Sequence, residues 1–196
     1  MIISKQDGTD GGIIMKTHKI ISWILLLVVL DQTTKIIINS FFLEIQFEII
    51  PSLFEFKPIF NNKYSYVNHL IYNNFNINMG WWFHMILFLF TGIIVFILCG
   101  YFRNYISENK KLLDVAFIFF IAGIICAFIG NLIWEKGTLD FIYLKPLFVF
   151  DLKDLYLNCF AALFLVYAHK NKEQIKTIKI KNVIDYIKIQ LKITQK

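Results

Sequence analysis

The chain has 196 residues, of which 57% are hydrophobic and 17% are charged, and its formal net charge is +6. Soluble domains are about 45–50% apolar and about 25% charged, so this composition argues against an ordinary soluble protein. The apolar residues lie in blocks, which predicts an all-α membrane protein with a single membrane domain over residues 16–172. Residues 1–15 are polar and glycine-rich and are predicted to be disordered or an upstream extension, which leaves the start open between Met1 and Met15.

Four apolar segments predict four transmembrane helices. A helix that crosses the hydrocarbon layer needs about 20 residues, and the last apolar run, from Leu155 to Ala168, is shorter than that. The fourth helix is therefore predicted to begin near Asp151 or Leu152 and to continue past His169, which places Asp154 in its first turn. The other three predicted helices run from about Ile20 to Ile38, from Trp82 to Phe102 and from Leu112 to Trp134.

Basic residues predict the orientation of these helices, because lysine and arginine accumulate in short cytoplasmic loops. They precede the first helix, lie between the second and the third, and recur through the tail at 173–196. Both termini are therefore predicted to be cytoplasmic, and the loops at 39–81 and 135–154 to lie outside. The basic tail is predicted to contact anionic membrane lipid. It carries no nucleic-acid motif, so no nucleic-acid partner is expected.

The outer loop at 39–81 is predicted to hold a small extracytoplasmic β/loop segment between the first and second helices. Residues from Glu44 to Ile49 alternate polar and bulky apolar side chains, a pattern typical of a short strand at a surface. The second half of the loop is rich in asparagine and tyrosine, which predicts an aromatic segment at the membrane interface.

Two pairs of ionisable residues are candidates for chemistry. Asp31 and Lys35 are four residues apart near the outer end of the first helix and share one helix face. They form either a structural ion pair or a pair that orders the site. Asp140 and Asp154 lie before and at the start of the fourth helix. Two carboxyls held close together share a proton and can activate a water molecule, whereas aspartates in an interfacial loop are more often solvated. The histidines and cysteines show no metal-ligand spacing, so no metal is expected.

Four short motifs occur in an order that resembles the signal peptidase II family. The family's Asp-Gln-x-x-Lys, Gly-Asn, Val/Leu-Asp-Phe and Phe-Asn-x-Ala-Asp motifs correspond to residues 31–35, 130–131, 139–141 and 150–154. Asn61 belongs to a loose counterpart of the family's Asn-x-Gly-Ala motif. The chain departs from the family at Trp134 and Glu135, where Asp-Arg is usual, and at Asp151, which replaces an asparagine.

The resemblance implies an intramembrane aspartic endopeptidase that cleaves signal peptides from diacylglyceryl-modified prolipoproteins. It would lie in the bacterial cytoplasmic membrane as a monomer without a cofactor, with its active site near the outer face. Asp140 and Asp154 would be the catalytic pair. Supporting or substrate-positioning roles would fall to Asp31, Lys35, Asn61, Gly130, Asn131 and Asp151. Two alternatives stay open: a catalytically inactive relative that binds lipoprotein signal helices or lipid, and, with less support from the spans, a small transporter.

Overall fold

The described part of the chain comprises residues 15–62, 66–77 and 79–191 of a computed structural model. It contains seven α-helices: α1 (Thr17–Ile37), α2 (Tyr66–Phe75), α3 (Trp81–Tyr105), α4 (Lys110–Ile133), α5 (Leu152–Lys170), α6 (Lys172–Lys176) and α7 (Ile180–Gln190). A π-helical turn, Ile38–Phe42, continues α1. Four strands complete the described elements: β1 (Phe47–Ile50), β2 (Phe54–Asn61), β3 (Thr138–Leu144) and β4 (Phe148–Phe150).

Three helices in the described part are long and apolar enough to cross a membrane: α1 with its π-helical extension, α3 and α4. They coincide with the first three predicted transmembrane helices. Their outward faces carry large apolar side chains that are more than half exposed, among them Trp23, Phe90 and Phe96. An apolar surface of this extent is typical of a face that contacts lipid.

Helix α5 occupies the position of the fourth predicted span. Its 19 residues give a length of about 28 Å at the usual rise of an α-helix. Lys153 and Asp154 lie in its first turn, and these charges make it less apolar than the other three helices. The structure therefore confirms a long helix at this position. That α5 crosses the membrane stays a prediction.

Helix α4 lies at the centre of the bundle and packs against α1, α3 and α5. Its buried side includes the small residues Ala122, Gly123 and Cys126. A Cβ atom at Gly123 would lie 2.8 Å from Leu157 Cδ2, so the absence of a side chain lets α4 and α5 approach closely. Small residues are the usual means of close helix packing in membranes.

The four strands form one antiparallel sheet in the order β1-β2-β3-β4. The strand predicted at 44–49 is present as β1, shifted slightly along the chain. The prediction placed the β segment only between the first two long helices, and this was wrong in extent, because the loop between α4 and α5 supplies β3 and β4. The two loops pair through β2 and β3, where Ile59 is opposite Asp140 and Asn61 is opposite Thr138. The segment predicted to be an aromatic interfacial stretch includes α2.

The start of α1, the end of α3 and the start of α4 meet at one end of the bundle, called the Arg103 end below. Arg103 Nε lies 2.9 Å from Asp114 Oδ1. The backbone N–H of Met15 donates to Asp114 Oδ2 at 2.9 Å, and Arg103 donates to the Met15 carbonyl at 3.0 Å. Helix α7 packs against α3 at the same end, where Tyr186 contacts the ring of Tyr101. The sheet lies at the opposite end.

Candidate active site

The first turn of α5 is held by a capping box. Asp151 is the N-cap residue, and its Oδ1 accepts a hydrogen bond from the Asp154 N–H at 3.2 Å. The Asp154 side chain in turn accepts a bond from the Asp151 N–H at 3.3 Å. Each carboxylate thus satisfies a backbone donor that a helix start leaves free. Asp151 therefore caps α5, and the cap fixes the position of Asp154.

Strand β3 carries Asp140 into the same region. Its first three residues, Thr138 to Asp140, are all buried. A Cβ atom at Gly130 would lie 2.6 Å from Thr138 Cγ2, so the glycine at the end of α4 gives β3 the room to lie there. The side-chain amide of Asn61, on β2, donates to Asp140 Oδ2 at 2.9 Å. Sheet pairing and this hydrogen bond together orient the Asp140 carboxyl.

The structure brings the two predicted catalytic aspartates together. One carboxylate oxygen from each of Asp140, Asp151 and Asp154 lies within 4.8 Å of the others. A water molecule makes hydrogen bonds of about 2.7–3.0 Å, so a single water can bridge two oxygens at such a separation. The carboxyls of Asp140 and Asp154 are therefore close enough for one water molecule to contact both.

Asp31 and Lys35 reach this region from α1, and their side chains are fully buried. Lys35 Nζ lies 2.9 Å from Asp31 Oδ2 and 2.7 Å from Asp151 Oδ2. The ion pair predicted within α1 is present, and its lysine also binds the cap of α5. The two readings left open for the pair are thus compatible: it offsets the cost of its own burial and it ties α1 to the first turn of α5.

Lys153 is the residue that the sequence prediction missed. Its ammonium lies 3.3 Å from Asp140 Oδ1, 2.9 Å from Asp151 Oδ2 and 3.2 Å from Asp154 Oδ2. The side chain is 8% exposed. The signal available in the sequence was a lysine flanked by acids at a helix start. Adjacent positions on a helix diverge by about 100°, which argues against contact between Lys153 and Asp154 unless a third group draws them together.

The aspartate cluster, defined here as Asp31, Asp140, Asp151 and Asp154 with Lys35 and Lys153, contains more acids than bases. If all six groups were ionised, two negative charges would be left uncompensated. Buried charges without partners are costly, and acids in such a cluster retain protons. The composition of the cluster therefore favours a proton held among the carboxyls.

The two buried aspartates outside the helices differ in acidity. Burial raises the pKa of Asp140, and the Lys153 ammonium opposes that rise only in part. Burial would also raise the pKa of Asp151, but the ammonium groups of Lys153 and Lys35 outweigh burial and hold it below its ordinary value. Asp151 is thus the ionised counter-ion of the two lysines, whereas Asp140 is an acid that holds its proton more firmly.

Three carboxylate oxygens this close together are also ligands that suit a divalent cation. The ammonium of Lys153 lies between 2.9 and 3.3 Å from all three carboxylates. It already supplies the positive charge that such a set of ligands requires. The three carboxylates therefore form an internal ion-pair network around Lys153.

Asn131 and Trp134 hold elements around the cluster. The side-chain amide of Asn131 donates to the Ala127 carbonyl at 2.7 Å. The main-chain carbonyl of Asn131 accepts a hydrogen bond from Trp81 Nε1 at 3.1 Å. Trp134 Nε1 donates to Gln32 Oε1 at 3.4 Å. Within the described ranges no hydrogen bond or ion pair joins Asn131 to the aspartates, so it links α4 to α3, while Trp134 links the loop to α1.

The fold and the cluster define the class: a helical membrane protein that holds aspartates close together beneath a small sheet at one end of its bundle. The family model described as Signal peptidase (SPase) II matches residues 23–170, and the chain belongs to this family of membrane peptidases. None of the curated proteins matches the chain.

The fold matches that of several solved structures, two of which are bacterial membrane enzymes. Each is described as a bacterial membrane enzyme determined by the in meso method, one at 2.3 Å and the other at 1.9 Å resolution. The first is 21% identical, with a TM-score of 0.57, and the match covers 84% of this chain and 95% of that one. The second is 23% identical, also with a TM-score of 0.57, and the match covers 77% of this chain and 92% of that one.

Proposed function

We propose that the chain is an aspartic endopeptidase in which Asp140 and Asp154 are the catalytic pair. The observation that carries the proposal is the approach of their carboxylate oxygens to within 4.8 Å, in a cluster that has more acids than bases. Two carboxyls in this arrangement share one proton and titrate as a unit. Such a pair provides a base and an acid at the same time.

The pair supplies both proton transfers of peptide hydrolysis. The ionised carboxylate takes a proton from a bridging water, and the resulting hydroxide attacks the peptide carbonyl carbon. The protonated carboxyl donates its proton to the carbonyl oxygen, which gives a neutral tetrahedral intermediate. When the C–N bond breaks, the nitrogen of the leaving amine takes the proton that the first carboxylate removed from water, and the intermediate's hydroxyl returns its proton to the second. Both carboxyls are then in their starting states.

The exposure of the two aspartates indicates the side from which water and substrate arrive. The Asp140 side chain is 2% exposed and the Asp154 side chain is 36% exposed. Large apolar side chains are exposed at the same end of the bundle, namely Phe41, Leu132 and Ile133. An apolar rim beside a partly open acid suits a substrate that approaches within the bilayer.

The proposed substrate is the signal helix of a diacylglyceryl-modified prolipoprotein in the bacterial cytoplasmic membrane. In this setting α5 is the fourth span, both termini are cytoplasmic and the aspartate cluster is near the outer face. The distribution of charge supports this orientation, because Arg103, Lys110 and Lys111 lie at the end of the bundle away from the cluster. Basic residues mark the cytoplasmic side of membrane helices.

Purified protein in detergent or lipid tests the proposal with a diacylglyceryl-modified prolipoprotein, followed by mass spectrometry of the products. The expected result is one cut that releases the signal peptide, with the unmodified precursor as the matched control that stays intact. Binding of the modified precursor without any cut, across several prolipoproteins, would contradict an endopeptidase and favour the catalytically inactive relative.

A further inference from the structure

Lys153 holds a position that the reaction described above does not use. Its ammonium is surrounded by Asp140, Asp151 and Asp154 at 2.9–3.3 Å. A buried ammonium is stable only when it is fully paired. The three contacts therefore form one unit, and the removal of the lysine would change all three carboxyls together.

Asp151 is the closest partner of Lys153, and its role differs from that of the other two acids. It caps α5, lies 2.7 Å from Lys35 and has a lowered pKa. Its ionised carboxylate therefore balances the charge of the two lysines. Asp140 and Asp154, at 3.3 and 3.2 Å from the same ammonium, are the two partners left free to exchange a proton.

This inference rests on the proposed function and deepens it. We propose that Lys153 is a positioning residue of the catalytic pair: its ammonium holds the Asp140 and Asp154 carboxyls within reach of one water, and Asp151 is its matched counter-ion. Without the ammonium, the mutual repulsion of the carboxylates separates them or obliges them to keep additional protons.

The charged groups that face this unit come from three elements of the described part. Strand β3 contributes Asp140, and the start of α5 contributes its N-cap residue Asp151 together with Lys153 and Asp154. Helix α1 contributes Asp31 and Lys35, which act through Asp151. The neutral amide of Asn61, on β2, also binds Asp140. Lys153 is thus the one cation that contacts both members of the catalytic pair within the described residues.

A double-mutant cycle on thermal unfolding tests the pairing without any reference to activity. Lys153→Met and Asp151→Asn are each expected to lower Tm by roughly 10 °C, because each leaves a buried charge with fewer partners. The double variant removes one charge of each sign and is expected to lose much less than the sum of the two. Lys153→Arg, which keeps the cation, is the control and should stay close to the wild-type Tm. Additive losses would overturn the pairing.

The pH profile of cleavage tests the effect on the catalytic pair. Lys153 opposes the rise in the pKa of Asp140, so its removal raises that pKa further. Lys153→Met should therefore move the alkaline limb of the profile, where Asp140 loses its proton, up by about one to three pH units, and Lys153→Arg should leave it in place. An unmoved limb in Lys153→Met, or faster cleavage at every pH, would overturn the positioning role. If the wild-type protein cleaves nothing, the proposed function fails, and the Tm cycle still decides the pairing.

Discussion

The two ends of the helix bundle both bury charged side chains, but the balance of charge differs between them. At the Arg103 end a single acid, Asp114, faces a single base, and the backbone of Met15 forms one hydrogen bond with each of them. At the other end four carboxyls surround two ammonium groups. In a balanced pair both groups can stay ionised, because each charge is compensated by the other. An excess of carboxyls over ammonium groups instead favours a carboxyl that keeps its proton. The comparison separates an ion pair that joins helices from a cluster whose protonation can change during a reaction.

The largest expected effect follows from removal of either acid of the proposed catalytic pair. Asp140→Asn and Asp154→Asn keep the shape of each side chain but remove an exchangeable proton. Each is expected to lower kcat/KM for a modified prolipoprotein by about a thousandfold or more, and the double variant should be little worse, because the two act as a unit. Asp114→Asn, at the Arg103 end, is the matched control and should keep its cleavage rate while its Tm falls. Wild-type cleavage by either catalytic variant would refute the mechanism.

Asp31→Ala is expected to have the next largest effect, and it acts on folding. The change removes one of the two partners of the fully buried Lys35 ammonium. The loss of a partner in a buried pair costs about 3–5 kcal/mol, which thermal or denaturant unfolding in detergent would measure. Exchange of the two charges, Asp31→Lys with Lys35→Asp, should not restore stability, because the new acid would lie against Asp151. Full recovery in the exchanged variant would show that Lys35 does not depend on Asp151.

The sequence was sufficient to predict the elements whose signals are local. Apolar blocks predicted α1, α3 and α4, and the length that a membrane span needs predicted that α5 begins near Asp151 or Leu152. The pairing of β2 with β3 was missed because the two strands are more than seventy residues apart in the chain, as with Ile59 and Asp140, and no local pattern specifies such a partner. Lys153 was missed for a related reason, since its place in the aspartate cluster depends on Asp140 from a distant strand.

Gly130→Ala should have a smaller effect, transmitted to the site by packing. The new methyl group would lie 2.6 Å from Thr138 Cγ2, so β3 or the threonine must shift, two residues before Asp140. Overpacking of this kind costs about 1–3 kcal/mol, and cleavage should fall with it. Thr138→Ser removes the methyl group that would clash, so the double variant Gly130→Ala/Thr138→Ser is expected to recover both Tm and cleavage. A double variant no better than Gly130→Ala would show that this contact does not position β3.

The smallest expected effect belongs to the Arg103 end. The Arg103 side chain is 35% exposed, so water can take over part of its hydrogen bonding when the pair is broken. The Asp114 side chain is 3% exposed but keeps its hydrogen bond from the Met15 N–H. Arg103→Gln should therefore destabilise the protein by only about 1 kcal/mol, and high salt should narrow the difference from the wild type. Its cleavage rate, corrected for folded protein, should be unchanged. The same measurements on Asp31→Ala should show a loss several times larger and insensitive to salt, because no solvent reaches Lys35. Equal losses of stability in Arg103→Gln and Asp31→Ala would mean that exposure and charge balance do not distinguish the two ends of the bundle. The excess of acid would then give no reason for a carboxyl of the aspartate cluster to keep its proton.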